Sequence, residues 1–596
     1  MFFLSGLLSA VIIVALAIVP ALFLSPAKSG RGALVALGVV AIVVYTGVNW
    51  WIMWGNASAF GFSWAIYSQL WALWTFELAI IGVLTMFVYD EVRALSIAAI
   101  VLAGLMFVQG TLNLKTWAGW DASSQLATIH VTNHADPGEY PETDANHIVA
   151  VPIETARQLG DQAMNANNTT NTYYNPTEPA LQSIAGHLYW VAMLEIDGWA
   201  NYSAMNGKVP GYIVIDAENP GQPARYVDKN ADGTPIVVNY QPSGMFEHHL
   251  GRHVRESGYS GELLGSWVLE LDDNWRPYYT GSIDVLPSAT FTGTVPAKTI
   301  SVDAQTGEIK VYDLEDTPQW IDRIYSADTV KMILNWWGEW GTAGFAPIYW
   351  GNGNRFSVAK NQEPTLVYTK SGHPEWQVQM SAYGNGEAAS HVVLFSGRDN
   401  KVDVYSIPSL QLESSAAKTV YQSGQNVRKN VPTHISLHKI YGKLTWVMPL
   451  VSADSSSNDD DPKPADKSSF QGIALMKAEG SSGSDIALDT TLAGALAEYR
   501  NNVLRGGTTK PSEDSTLETA KGTVSQLSPV MREGELNVFY FRLGTDDRTY
   551  KMSIDPNDAA QTVERPFIKV GAKVAISYRN SGDKKGDVVA YDDLGM

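Results

Sequence analysis

The stretch KTISVDAQTGEIKVYDL, residues 298–314, reads as a strand, a polar turn at Gln305-Thr306-Gly307 and a second strand. Gly in a short polar connection between apolar runs is the signature of a β-hairpin. The same unit recurs along the chain, each time near a Trp-bearing segment. GHLYWVAML (186–194) goes with GYIVIDAENPGQPARYV (211–227), and SWVLELDD (266–273) with 298–314. PEWQVQM (374–380) goes with SHVVLFSGRDNKVDVYSI (390–407), and GKLTWVMPL (442–450) with QGIALMKAEGSSGSDIAL (471–488). Arg398-Asp399-Asn400 marks another such turn. The tryptophans 190, 267, 376 and 446 are unevenly spaced, which excludes a short-period solenoid.

Sheets exposed on one face need helices to cover them. VPIETARQLGDQAM (151–164) places Ile153, Ala156, Leu159 and Ala163 on one helical face. Further helical segments are expected within 243–257, 317–337 and 492–504. DSSSNDDDPKPADKSS (454–469) is charged and proline-containing, so it is expected to be a solvated insertion in the last repeat. Beyond 511, five short strand-like segments in about 75 residues suggest a small OB-like barrel.

The helix at 151–164 followed by strands ending in VDAQTGEIKVYDL (302–314) resembles PepSY-type modules, small α+β units with a strand–TGE–strand hairpin. The resemblance extends at module level over roughly 150–500, with VDAQTGEI its sharpest part; the unit at 471–488 lacks the Asp and the TGE turn. It implies extracytoplasmic modules that act as interaction domains or regulate envelope peptidases.

The amino-terminal part has a different composition. Apolar stretches near 2–24, 33–54, 66–89 and 94–113 each have the length expected of a membrane-crossing helix. Lys28 and Arg31 follow the first stretch instead of preceding it, which argues against a cleaved signal peptide. Arg93 lies in the loop between the third and fourth stretches, while 55–69 carries no charge. The positive-inside bias then predicts an inner (cytoplasmic) membrane protein with its amino terminus out and residues 114–596 extracytoplasmic. Trp50, Trp51, Trp54, Trp64, Trp71, Trp117 and Trp120 map to the same predicted interface. Glu77 is the ionisable residue expected in mid-membrane, either as a relay or as a hydrogen-bonding group between helices.

Together these readings predict an α+β chain: four transmembrane helices over 1–113, a first pair of helix-plus-antiparallel-sheet repeats over 114–316, a second pair over 317–510, and the barrel over 511–596.

Charge and composition exclude several functions. The chain has 596 residues, 42 Lys and Arg against 61 Asp and Glu, a net charge of −19, and no cysteine. Disulfides, thiol nucleophiles, iron–sulfur clusters and Cys-based zinc sites are ruled out. Residues 512–596 hold 11 basic and 14 acidic side chains, so the barrel is not expected to bind nucleic acid. Neither G-x-S-x-G, Walker nor dinucleotide signatures occur. Ser25-Pro-Ala-Lys28 has S-x-x-K spacing but no partner motifs.

Asp228, Asn230 and Asp232, followed by Gly233, match the first half of a calcium loop; Asn239 stands where a bidentate Glu is needed. A polar hairpin turn accounts for the same residues, and calcium is the one cofactor this pattern allows. His130/His134, His249/His253 and His434/His438 have i, i+4 spacing, which on a helix presents two imidazoles to one metal, or else they are solvated or capping residues. Trp336, Trp337, Trp340 and Trp350 cluster in a Gly-rich segment that is read either as an interaction surface or as packing of a helix end. The expected function is that of a non-enzymatic, membrane-anchored envelope scaffold that contacts the lipid bilayer and forms a homo-oligomer or joins other membrane proteins. The alternative is a transport-linked subunit or a regulator of an envelope hydrolase.

Overall fold

The turn in 298–314 is built by its own side chains. Asp303 Oδ1 accepts from the amides of Gln305 (2.8 Å) and Thr306 (2.9 Å), and Gly307 takes φ +77°, the left-handed conformation that a Cβ resists. The flanking strands pair antiparallel, with Val302 opposite Ile309 and Lys298 opposite Asp313.

The computed structural model describes scattered helical positions between residues 39 and 83, the helix Arg93–Thr111, and most of residues 126–504 and 518–593. The α-helices with described bounds are α1 (Arg93–Thr111), α2 (Ile153–Asn165), α3 (Gly198–Met205), α4 (Leu250–Val254), α5 (Ala327–Trp336), α6 (Glu413–Gln422) and α7 (Leu492–Leu504). Strand is the larger component.

Four sheets in residues 1–504 share one plan: two short strands pair end to end along one long strand, and two more strands follow antiparallel. In the first sheet, Tyr174–Pro176 and Ala180–Ile184 pair with His187–Ile196, which leads to Tyr212–Asp216 and Arg225–Val227. In the second, Leu263–Leu264 and Val268–Leu271 lie on Pro277–Val285, followed by Val295–Asp303 and Ile309–Asp313. The third runs Phe356–Val358 and Thr365–Tyr368 on Pro374–Ala382, then Ala389–Ser396 and Lys401–Ser406. The fourth runs Val431–Pro432 and Ser436–Ile440 on Lys443–Val451, then Phe470–Lys477 and Ile486–Asp489. Strand His130–His134 adds to the third sheet in parallel, with Val131 opposite Val402.

A small residue just after the third strand position pins each sheet to the segment entering its helix. Ala217 donates its amide to Leu188 O (3.0 Å), and its carbonyl accepts from Ala150 and Val151 (both 2.9 Å) ahead of α2. Ala304 does the same with Pro277 O, Asn239 and Tyr240, and Gly397 with Pro374 O, Ile324 and Tyr325. Ala478 bonds Leu444 O (2.8 Å) and accepts from Gln411 ahead of α6. The three alanines are fully buried, so a larger side chain has no room there.

A second repeated feature is an aromatic ring facing a leucine across the long strand. The pairs are Trp190–Leu181, Tyr279–Leu269, Trp376–Leu366 and Trp446–Leu437, all buried. Trp267 lies in a loop, and Tyr279 occupies the ring position in the second sheet. α2 buries Ala156, Gly160 and Met164, an i, i+4, i+8 stripe, against the first sheet.

Contacts between successive sheets run full circle. Gln182 clasps the backbone of Leu271, accepting from its amide (3.1 Å) and donating to its carbonyl (3.4 Å). Glu270 on the second sheet accepts from the amides of Asp322 and Arg323 ahead of the third. Gln377 repeats the clasp on Leu437 of the fourth, at 2.6 and 2.7 Å. Thr433 then donates to Glu154 Oε1 on α2 (2.9 Å), and Ser468 N bonds Glu154 O (3.2 Å). The far end of the acidic insertion thus docks on α2, where Lys467 also pairs with Asp161 and Arg157 donates to Asp466 O. Replacing Gln377 by Ala leaves the buried Leu437 amide without an acceptor, and is expected to cost about 2–3 kcal/mol in urea unfolding, with Gln377→Glu milder only at low pH.

The predicted α+β class with a four-helix transmembrane anchor is corrected. Sheet predominates, and among the described residues no helix is long and apolar enough to cross a membrane. Residues 2–24 lie outside the described residues. In α1, the uninterrupted apolar run is Ile97–Val108, about 18 Å of helix against ~30 Å of hydrocarbon. Arg93 and Ser96 at one end, and Gln109 and Thr111 at the other, trim the span that composition suggests. The transmembrane assignment falls with this, and so does the inner-membrane localisation with an extracytoplasmic 114–596.

Residues 505–596 form a second compact unit. Its strand path runs Glu518–Leu527, Lys573–Gly582, Lys585–Asp593, Thr549–Ile554 and Leu536–Leu543, then returns to Glu518–Leu527, so the sheet closes on itself. Met531–Glu533 is a hairpin arm on Leu536–Leu543, and Thr549–Ile554 pairs parallel with Lys585–Asp593. Val524, Phe541, Tyr550, Met552, Val574 and Ile576 fill its core.

Candidate functional site

In VLEL, residues 268–271, Glu270 alternates with Leu269 and Leu271, and all three are buried because a second layer covers each face. Besides the two amides above, Glu270 Oε2 accepts from Thr280 Oγ1 (2.6 Å). Asp322 Oδ2 accepts from Ser183 N (2.6 Å) and Tyr368 Oη (2.8 Å), which joins the first and third sheets at one carboxylate. Burial pushes both carboxyls up, and for Glu270 the neighbouring Asp322 charge adds to the rise. Arg398 clamps the connecting segment by donating to the carbonyls of Thr317 (3.0 Å), Pro318 (3.1 Å), Gln319 (2.9 Å) and Ile321. These bonds fix where Arg323 emerges.

Arg323 lines a cavity of about 450 Å³ between the second and third sheets. Its Nε and Nη2 are buried and have no hydrogen-bond partner. Asp284 lies in the same wall; Thr294 Oγ1 donates to its Oδ2 (2.9 Å), while its Oδ1 is buried without a partner. Burial pushes the Asp284 carboxyl up, which favours the neutral form beside any incoming anion. Gly265 lines the cavity where a Cβ would stand 2.3 Å from Ser282 Oγ. Trp376 forms another wall, held by its Nε1 donating to Tyr325 O (2.8 Å). At the start of α5, Ser326 Oγ accepts from Thr329 N (3.2 Å), so that hydroxyl is engaged in capping.

The predicted site residues lie elsewhere. Asp232 Oδ1 accepts from Thr234 N (2.9 Å) and Thr234 Oγ1 (2.6 Å), and Asn230 exchanges bonds with Gln305, so their oxygens close a polar turn. Asp228 O accepts from Ile236 N in the same hairpin. Trp337 is buried at 8 % exposure and stacks on Phe356, and Trp336 is half-buried on α5. The Trp340 side chain, Trp350 and Glu77 lie outside the described residues.

Among the described residues, none of the i, i+4 histidine pairs belongs to a group of three metal-ligating side chains. His249 accepts from Arg252 N as the cap of α4, while His253 bonds Gly307 O. His434 is half-buried edge-on to Trp190 and His438 is buried, and desolvation pushes them down to about 4 and about 3. His134 is held between Asp403 (2.9 Å) and Glu139 (2.6 Å), and its bond to Asp403 raises it. His147 and His187 both meet Glu218, and no i, i+4 spacing announces them.

No family model, curated protein or solved structure matches the chain.

Proposed function

We propose that the chain is a non-enzymatic binding and assembly protein, whose four-sheet unit holds an anionic group of its partner, a carboxylate or a phosphate, in the cavity beside Arg323. The carrying observation is the pair of buried, unpartnered guanidinium donors on the cavity wall. Each such donor left open costs about 1–3 kcal/mol, and a bidentate anion would recover that loss. The cavity volume lies within the range of small-ligand sites, ~300–1,000 Å³. The repeated helix-and-sheet plan and the VDAQTGEI hairpin support reading the units as PepSY-like interaction modules, and the closed strand path of 518–593 supports an OB-like barrel.

Titration calorimetry with acetate, succinate, phosphate and phosphoserine tests this. Saturable 1:1 binding of one of these anions is expected. Arg323→Lys keeps the charge but loses the fork, and should weaken binding at least tenfold, by about 1.4 kcal/mol or more. Absence of saturable binding to all four probes, or equal affinity in Arg323→Met, would overturn the reading.

A further inference from the structure

His147, His187 and Glu218 come from three separate segments, yet their ligand atoms all lie within 4.8 Å of one another. His147 Nδ1 is 2.8 Å from Glu218 Oε1, and His187 Nδ1 is 3.3 Å from Glu218 Oε2. The backbone pin of the first sheet gathers them. Ala217, beside Glu218, bonds Leu188, beside His187, and accepts from Ala150, three residues after His147. Asp216 Oδ1 takes the amides of Glu218 (2.9 Å) and Asn219 (3.0 Å), which fixes the turn that projects the glutamate. Leu188 N donates to Glu218 Oε1 (3.3 Å), orienting the carboxylate from behind.

The equivalent turn of the second sheet has the same Asp pattern at Asp303 but carries Gln305 in place of Glu218. There Gln305 reaches Asn230 at 3.0 Å and no imidazole. Of these two sheets, the first alone joins an acidic side chain at this position to two histidines, while the scaffold beneath is common to both.

We propose that His147, His187 and Glu218 form a divalent transition-metal site, with zinc the best-matched ion. Two imidazoles and one carboxylate are borderline donors that suit Zn²⁺ better than Ca²⁺ or Mg²⁺. Ligands about 2.0–2.2 Å from a tetrahedral ion stand roughly 3.3 Å apart, so only small side-chain adjustments bring the three atoms onto one ion. The three side chains are 35, 63 and 15 % exposed, which leaves the solvent side open for a water or for a donor brought by a partner. Bound metal would tie the segment before α2 to the first sheet.

The test uses the full chain stripped with a chelator and titrated with Zn²⁺ in calorimetry and with Co²⁺ in visible spectroscopy. One equivalent of ion and the ligand-field bands of four- or five-coordinate cobalt are expected. His187→Ala removes the most exposed ligand, so the fold should survive, as circular dichroism can verify; its affinity should fall at least tenfold and its cobalt bands should disappear. Glu218→Gln should weaken binding likewise, while His130→Ala should bind as the parent chain does. No binding at micromolar metal, or binding and spectra unchanged in His187→Ala, would overturn the site.

Discussion

Replacing Trp446 with alanine is expected to lower the unfolding free energy by about 3–5 kcal/mol, measured by urea denaturation. The side chain is 1 % exposed and lies between Leu437 and Met476 on the neighbouring strands of the fourth sheet. Its removal leaves a cavity that strands paired on both sides cannot close. A comparison with Trp190 separates packing from hydrogen bonding. Trp190 Nε1 donates to Val151 O (2.8 Å), just as Trp376 does to Tyr325 O, whereas Trp446 Nε1 is buried with no partner. Phenylalanine at 446 thus discards an unsatisfied donor, and should cost no more than about 1.5 kcal/mol. Phenylalanine at 190 strands a carbonyl at the entrance to α2, and should cost more. Equal losses at the two positions would show that the indole bond contributes nothing.

Between pH 6.5 and 8 stability is expected to fall as pH rises. Burial pushes Glu413 up to about 8 and Glu375 up to about 7. In that window the unfolded chain has both ionised, while the folded chain keeps Glu413 largely protonated. The folded state binds the extra proton, so its advantage is complete below the ordinary carboxylate range and disappears as pH rises through the folded value. Two desolvated histidines act in the other direction. His434 and His438 stay neutral in the fold, so they oppose unfolding above their ordinary value of 6.5 and lose that contribution as pH falls. Glu413→Gln preserves an acceptor for Gln362 and should flatten the alkaline limb by about 1.4 kcal/mol per pH unit. Urea midpoints across the pH series check it; an unchanged slope would mean that Glu413 is ionised in the fold.

What was legible in the sequence was local. Asp303 and Gly307 write their turn within five residues, and the helix at 151–164 needs only helical spacing, although the expected face of Ile153, Ala156, Leu159 and Ala163 shares only Ala156 with the buried stripe Ala156, Gly160, Met164. What depended on distant partners was not. His130–His134 looks irregular because its ladder partner, Lys401–Ser406, lies far along the chain. Tyr279 was hidden because the repeated position requires a large buried ring, not specifically an indole. Apolar length suggested membrane spans, but the polar residues at either end of α1 leave too short a run. The cavity was invisible for the same reason as the His147–His187–Glu218 cluster. Arg323 is singled out by donors that nothing meets, and His147, His187 and Glu218 by a backbone knot at Ala217, neither of which has a sequence period. The one available hint was the parallel between DAEN at 216–219 and DAQT at 303–306, two copies of one turn with different chemistry at their third residue.

The return of the fourth sheet to α2 sets a timetable for synthesis. Glu154 and Thr433 are 279 residues apart. At ~5–20 residues per second, a ribosome needs tens of seconds to make the second after the first. Throughout that interval the nascent first module displays a helix face whose final neighbours do not yet exist. The newborn chain is therefore most vulnerable to proteases and to wrong partners before residue 468 has emerged, and a truncation anywhere upstream should be cleared rather than accumulate as a shorter array.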